Sequence, residues 1–112
     1  MLIYKIFRAQ EWDALATQGE TLGAPIDLAD GFIHFSTADQ AQTTADLHFS
    51  GVQGLVVAAV DTAPLGDTLK WEMSRGGAEF PHLFAALKRD QVVWVKDLPL
   101  VDGRHQFPAE MK

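Results

Sequence analysis

Three stretches of this chain set chemically capable side chains among apolar neighbours: His34 and Ser36 within Phe32-Ile33-His34-Phe35-Ser36, Glu72 beside Trp71, and His82 after Pro81. An imidazole can move protons near neutral pH, a hydroxyl can hold a sugar or an amide, and a carboxylate can stabilise positive charge developing in a transition state. Two histidines and a carboxylate would also suit an open divalent-metal site, but no pair has the His-x-His or His-x-x-x-His spacing of tight ligands. A Ser36-His34 hydrolase is disfavoured, because Ser36 lacks a nucleophile-elbow sequence and a histidine two residues away on one strand face is badly placed to activate it. A nucleotide site uses all the groups. His34 and Ser36 would bond a ribose or amide, an aromatic would stack on a base, and Glu72 would orient a sugar hydroxyl or stabilise charge at an anomeric carbon. Against this stands the structural reading: His34 as a core histidine bonded to backbone, and Ser36 as a helix-capping residue.

The elements that must position these groups follow from local pattern. Asp30-Gly31 reads as a turn, Phe32 to Ser36 as a strand with Phe32, His34 and Ser36 on one face, and Thr37 with Gln40 as a capping box opening a helix. Amides pointing out of that helix start would help to cradle a phosphate or ribose. Elsewhere, Leu2 to Phe7 fits a first strand, and Gln10 to Gln18 a helix with Trp12 in the core and Gly19 at its end. Residues 19 to 31 read as an irregular crossing, and Ala38 to Phe49 as a second helix with His48 near its C-terminus. The apolar run Gly54 to Val60 predicts a central strand buried on both faces. Leu69 to Met73 and Gln91 to Leu98 predict further strands, with a loop over 61–69 and a short turn over 87–90. Ser74 to Glu79, with Gly76-Gly77, reads as a flexible segment able to move over a site. Pro81 should hold His82 at a rigid corner, and His105, among Pro99, Gly103 and Pro108, should be exposed.

Composition sets the bounds. With 112 residues the chain is expected to form one domain, residues 1–112, around a single modest core. The absence of cysteine excludes disulfides, thiol catalysis and cysteine zinc sites. A net charge of −6 argues against strong binding to nucleic acid or an anionic membrane. The start Met-Leu-Ile-Tyr-Lys does not resemble a signal peptide and Leu55 to Val60 is too short to span a bilayer, so the expected location is cytoplasmic.

In order along the chain, Asp-Gly-Phe-Ile-His-Phe-Ser-Thr at 30–37, Leu-Lys-Trp-Glu at 69–72 and Phe-Pro-His-Leu-Phe at 80–84 resemble the small bacterial family known as domain of unknown function 952 (DUF952). The similarity runs from Ile3 to about Leu98. It implies an ADP-ribosyltransferase-like fold: a compact α+β domain of small mixed or antiparallel sheets, with two to three helices, around a nicotinamide-dinucleotide cleft. The His-x-Ser of such folds, which binds the nicotinamide-side ribose and amide, would fall on His34 and Ser36, and the acidic residue of a later strand on Glu72. Glu72 and His34 are then the catalytic candidates, and His34, Ser36, Trp71, His82 and Phe84 the ligand-binding ones. Phe84 stands where relatives usually have Tyr, so a hydroxyl donor is lost. Some relatives carry a glutathione transferase label, but no thioredoxin-like pattern occurs here. The implied ligand is a small molecule, NAD or a related nucleotide, as substrate or simply bound. No resident cofactor or metal is implied, and the oligomeric state is left open. The implied activity, if there is one, is ADP-ribosyl transfer or NAD glycohydrolysis, and the alternative is a noncatalytic metabolite-binding module on the same fold.

Overall fold

The computed structural model describes residues 1–74 and 77–111. The predicted central strand is β4 (Leu55–Asp61), flanked antiparallel by β1 (Leu2–Phe7) and β8 (Val92–Leu98). Side-chain alternation gives this sheet two apolar faces. Ile3, Phe7, Ala58 and Val60 pack against Leu15, Ile33, Phe35, Leu83 and Leu87. On the other side Ile6, Leu55 and Leu98 pack with Ala45, while Tyr4, Val57 and Ala59 form a neighbouring cluster that Phe107 covers. Burial on both faces is why the sequence of β4 is a continuous apolar run rather than an alternating one.

A second sheet has the order β3 (Ile33–His34), β6 (Glu79–Leu83), β5 (Leu69–Met73). Two ribbons complete the strands: β2 (Glu20–Thr21) with β7 (Leu87–Lys88), and β9 (Leu100–Val101) with β10 (Arg104–His105). Every strand pairing among the described residues is antiparallel, so of the two arrangements expected it is the antiparallel one that forms. The helices are α1 (Ala9–Gln18), α2 (Pro25–Asp30) and α3 (Ala38–His48), with 3-10 turns at Ala63–Thr68 and Arg89–Gln91.

Several local expectations are corrected. The crossing over 19–31 contains α2, with Pro25 at its start and Gly31 closing it at φ 84°, so Asp30-Gly31 is a helix end rather than a free turn. The strand expected over Phe32 to Ser36 is cut to Ile33–His34, followed by an isolated bridge from Ser36 to Tyr4 of β1. Pro81 does not make a corner but lies within β6. It accepts the Phe35 amide through its carbonyl at 3.0 Å, yet has no N–H to return to Phe35, so the β3 ladder ends there. The chain then crosses to the first sheet, where Ser36 and Tyr4 exchange both backbone bonds at 2.8 and 2.9 Å. Residues 87–90 hold β7 and the start of a 3-10 turn rather than a plain turn. His105 is buried, not exposed, and its Nε2 donates to the Phe49 carbonyl at 2.7 Å. Arg75 and Gly76, within the segment expected to be flexible, lie outside the described residues.

Candidate functional site

The cleft opens where the strand changes sheets. Continuing the Tyr4–Ser36 register by two residues would set Ile6 opposite His34, but the His34 amide donates instead to Asp27 Oδ1 at 3.1 Å. The two sheet edges therefore diverge. Between them lies a cavity of about 710 Å³, of the size that holds a small ligand, with Tyr4, Ile6, His34, Ser36, Phe80 and His82 in its wall.

Asp27, which the sequence reading passed over, organises the floor. Its side chain is wholly buried and takes four donors: Lys5 Nζ at 2.8 Å, His34 Nδ1 at 2.6 Å, the Ala24 amide at 2.7 Å and the His34 amide. Burial pushes the Asp27 carboxyl up, but the His34 hydrogen bond and the Lys5 charge outweigh it and hold the group at about 2. The carboxylate fixes the proton on His34 Nδ1 and turns Nε2 outward, where Asp30 Oδ2 makes an ion-pair contact at 3.0 Å. Gly23 permits this packing, since at φ 103° a Cβ there would fall 2.3 Å from Asp27 Oδ2.

His82 is held by the same device. Its Nδ1 donates to Glu72 Oε1 at 2.8 Å, and its side chain is buried while that of Glu72 is 45 % exposed. Nε2 of His82 makes no hydrogen bond among the described residues. Phe32 stacks on the His82 ring at 4.2 Å and also touches His34 at 4.6 Å and Phe84 at 5.1 Å, while the two imidazoles meet edge to face at 5.4 Å. Phe32 thus fixes the rings relative to one another.

Ser36 lies in the wall as expected, but its hydroxyl is committed. Thr44 Oγ1 donates to the Gln40 carbonyl at 3.2 Å, so Ser36 donates to Thr44 at 3.0 Å and offers the cleft its lone pairs as an acceptor. The predicted reciprocal cap is half realised. Gln40 Oε1 accepts the Thr37 amide at 3.0 Å, while the Thr37 side chain makes no capping bond. Gln40 Nε2 also donates to the Glu79 carbonyl at 2.7 Å, tying α3 to β6.

Of the six candidates, His34, Ser36 and His82 line the cleft, Glu72 reaches it through His82, and Phe84 joins the Phe32 cluster while 43 % exposed. Trp71 does not join the set: alternation along β5 puts it on the opposite face from Glu72, paired with Pro81. No group of three or more His, Cys, Asp or Glu among the described residues is arranged to hold a metal ion. No helix among them is long and apolar enough to cross a membrane.

An α+β domain whose cleft is floored by a strand passing between two antiparallel sheets, and lined by two carboxylate-held histidines, is the class that fold and site define. The chain belongs to the family described as Protein of unknown function (DUF952), whose model matches residues 6–95. It is similar to protein CC0527 from Caulobacter crescentus, solved by a structural genomics consortium. The crystal structure of that protein is 52 % identical with a TM-score of 0.91, over 95 % of this chain and 94 % of that one. Its solution NMR structure gives 51 % identity and a TM-score of 0.83, over 93 % and 90 %. No curated protein matches the chain.

Proposed function

We propose that the cleft binds a nucleotide-type small molecule, NAD or a relative, and that His82 Nε2 takes the proton of the water or hydroxyl that attacks the anomeric carbon while nicotinamide leaves neutral with the bonding pair. The observation that carries this is the His82–Glu72 pair: a buried imidazole whose Nδ1 is occupied by a carboxylate and whose Nε2 is left for a ligand in a preformed cavity. A carboxylate so placed fixes the tautomer and steadies the imidazolium formed when Nε2 takes a proton. Glu72 then acts through His82 rather than directly on an anomeric carbon. Ser36, as an acceptor, would receive an amide N–H of the ligand, and His34 would meet an oxygen of its polar part. The apolar wall at Tyr4 and Phe80 suits a flat ring. The resemblance to ADP-ribosyltransferase-like folds favours cleavage of the nicotinamide–ribose bond as the reaction, and the cytoplasmic setting expected from the sequence would supply such a nucleotide. One observation favours the noncatalytic alternative. His34 is bonded into a network that also serves the fold, so its role could end at binding.

The test is a two-dimensional amide NMR titration of the full chain with NAD, ADP-ribose and nicotinamide, followed by assay of nicotinamide release. Shifts clustered at residues 32–37 and 80–84, with turnover lost in His82→Asn, support the enzyme. Shifts without release support the binding module, and no shift at millimolar ligand ends the nucleotide reading.

A further inference from the structure

The two carboxylates on the His34 ring differ in kind. Asp27 is buried and tied to Lys5 and two backbone amides, so removing it unmakes the local fold. Asp30 is 43 % exposed, and its contact with His34 Nε2 is its sole hydrogen bond or ion pair among the described residues. It is also the last residue of α2, where a negative charge meets the negative end of the helix dipole. An exposed ion pair set against an unfavourable dipole is a weak hold on either partner. Both residues face the cleft, whose lining also includes Arg8, paired there with Glu11 at 3.6 Å.

We propose that Asp30 stands in for an oxyanion of the ligand, a phosphate or a carboxylate, which binds the His34 ring at Nε2 and displaces the Asp30 side chain. This rests on the same cleft being a ligand site, and needs neither NAD nor turnover. The buried partner Asp27 keeps the ring aimed throughout, while Asp30, 43 % exposed at the end of α2, can turn its side chain to solvent. The tethered carboxylate acts as a competitor at high effective concentration, so its removal should strengthen binding of a free oxyanion.

Calorimetric titration of the full chain with sodium pyrophosphate and, separately, sodium acetate tests this in wild type, Asp30→Ala and the double variant Asp30→Ala with His34→Gln. Asp30→Ala removes an exposed charge from a helix C-terminus, so the fold is retained. The expected result is roughly tenfold tighter binding of one anion by Asp30→Ala than by wild type. The His34 Nε2 nitrogen resonance should shift on saturation, and the gain should vanish in the double variant. The anion that gains identifies phosphate or carboxylate. No binding of either anion, equal affinity in wild type and Asp30→Ala, or a gain that survives His34→Gln overturns the proposal. An oxyanion gain without nicotinamide release leaves it standing and removes the NAD reaction, whereas nicotinamide release without any gain does the reverse.

Discussion

His82 and Glu72 are bonded across the β5–β6 pair although they are not opposite each other: Lys70 faces His82 and Glu72 faces Phe80, so the 2.8 Å contact is diagonal. Diagonal neighbours in an antiparallel pair are within reach of long side chains, and here the reach turns the imidazole so that Nδ1 is spent and Nε2 is not. Glu72→Gln keeps an acceptor for Nδ1 but removes the charge that steadies a protonated ring. In the reaction proposed above, nicotinamide release should fall at least about 100-fold, while stability to urea changes by less than about 1 kcal/mol because the carboxylate is half exposed. Parallel loss of both would show that the pair is structural.

The Lys5–Asp27 pair should behave in the opposite way. Asp27→Ala leaves a buried ammonium with no counter-charge and should cost about 3–5 kcal/mol in urea unfolding. Arg104→Ala breaks a contact of similar length, 2.7 Å to Asp46, between two exposed side chains, and should change stability far less. Equal costs would contradict the burial argument.

Acid should act through Asp27. Its folded pKa of about 2 lies below the ordinary value of 3.8, so the folded state is favoured by the ionised group above about pH 3.8 and loses that advantage as pH falls through about 2. The contribution at neutral pH is roughly 2 kcal/mol. Stability measured against pH in wild type should therefore decline across that window, with a shallower decline in Asp27→Asn.

Two glycines offer a matched test of close packing. Gly23→Ala drives a Cβ into the Asp27 carboxylate on top of the conformational strain and should destabilise the fold by well over about 2 kcal/mol. Gly31→Ala has the same kind of backbone, φ 84°, but nothing within 4 Å, so its cost should stay near the conformational penalty of about 1–2 kcal/mol. Thermal unfolding of the two variants separates contact from conformation.

Elements with a long or strongly patterned signal were legible in the sequence. The apolar run of β4, the helix closed by Gly19 and the alternation of β5 all appear close to their expected bounds. Of the residues around the candidate cleft, His34, Ser36, Glu72 and His82 were legible, because polar groups inside apolar strands stand out. Asp27 was not, because a six-residue helix is too short to show periodicity. A signal did exist: Pro25 ahead of Asp27 and Gly31 after it mark a helix start and end. Lys5 sits between Ile3 and Phe7 on the core face of β1, which calls for a buried carboxylate somewhere in the chain. Phe32 was read only as strand, since its ring contacts depend on the β3–β6 pairing that brings His82 alongside His34. His105 was misjudged because its Gly- and Pro-rich surroundings suggested a surface tail, whereas β9 and β10 fold it back onto the Phe49 carbonyl.

The missing amide of Pro81 has a mechanical consequence. Phe35 is anchored to β6 and the next residue, Ser36, to β1, so one peptide unit, about 3.8 Å between α-carbons, stitches the two sheets together with no slack. That stitch resists sliding of one sheet past the other and leaves residues 35 and 36 as a spine for the cleft. The amides of the spine should be the slowest of the cleft to exchange with solvent, as hydrogen-exchange measurement would show.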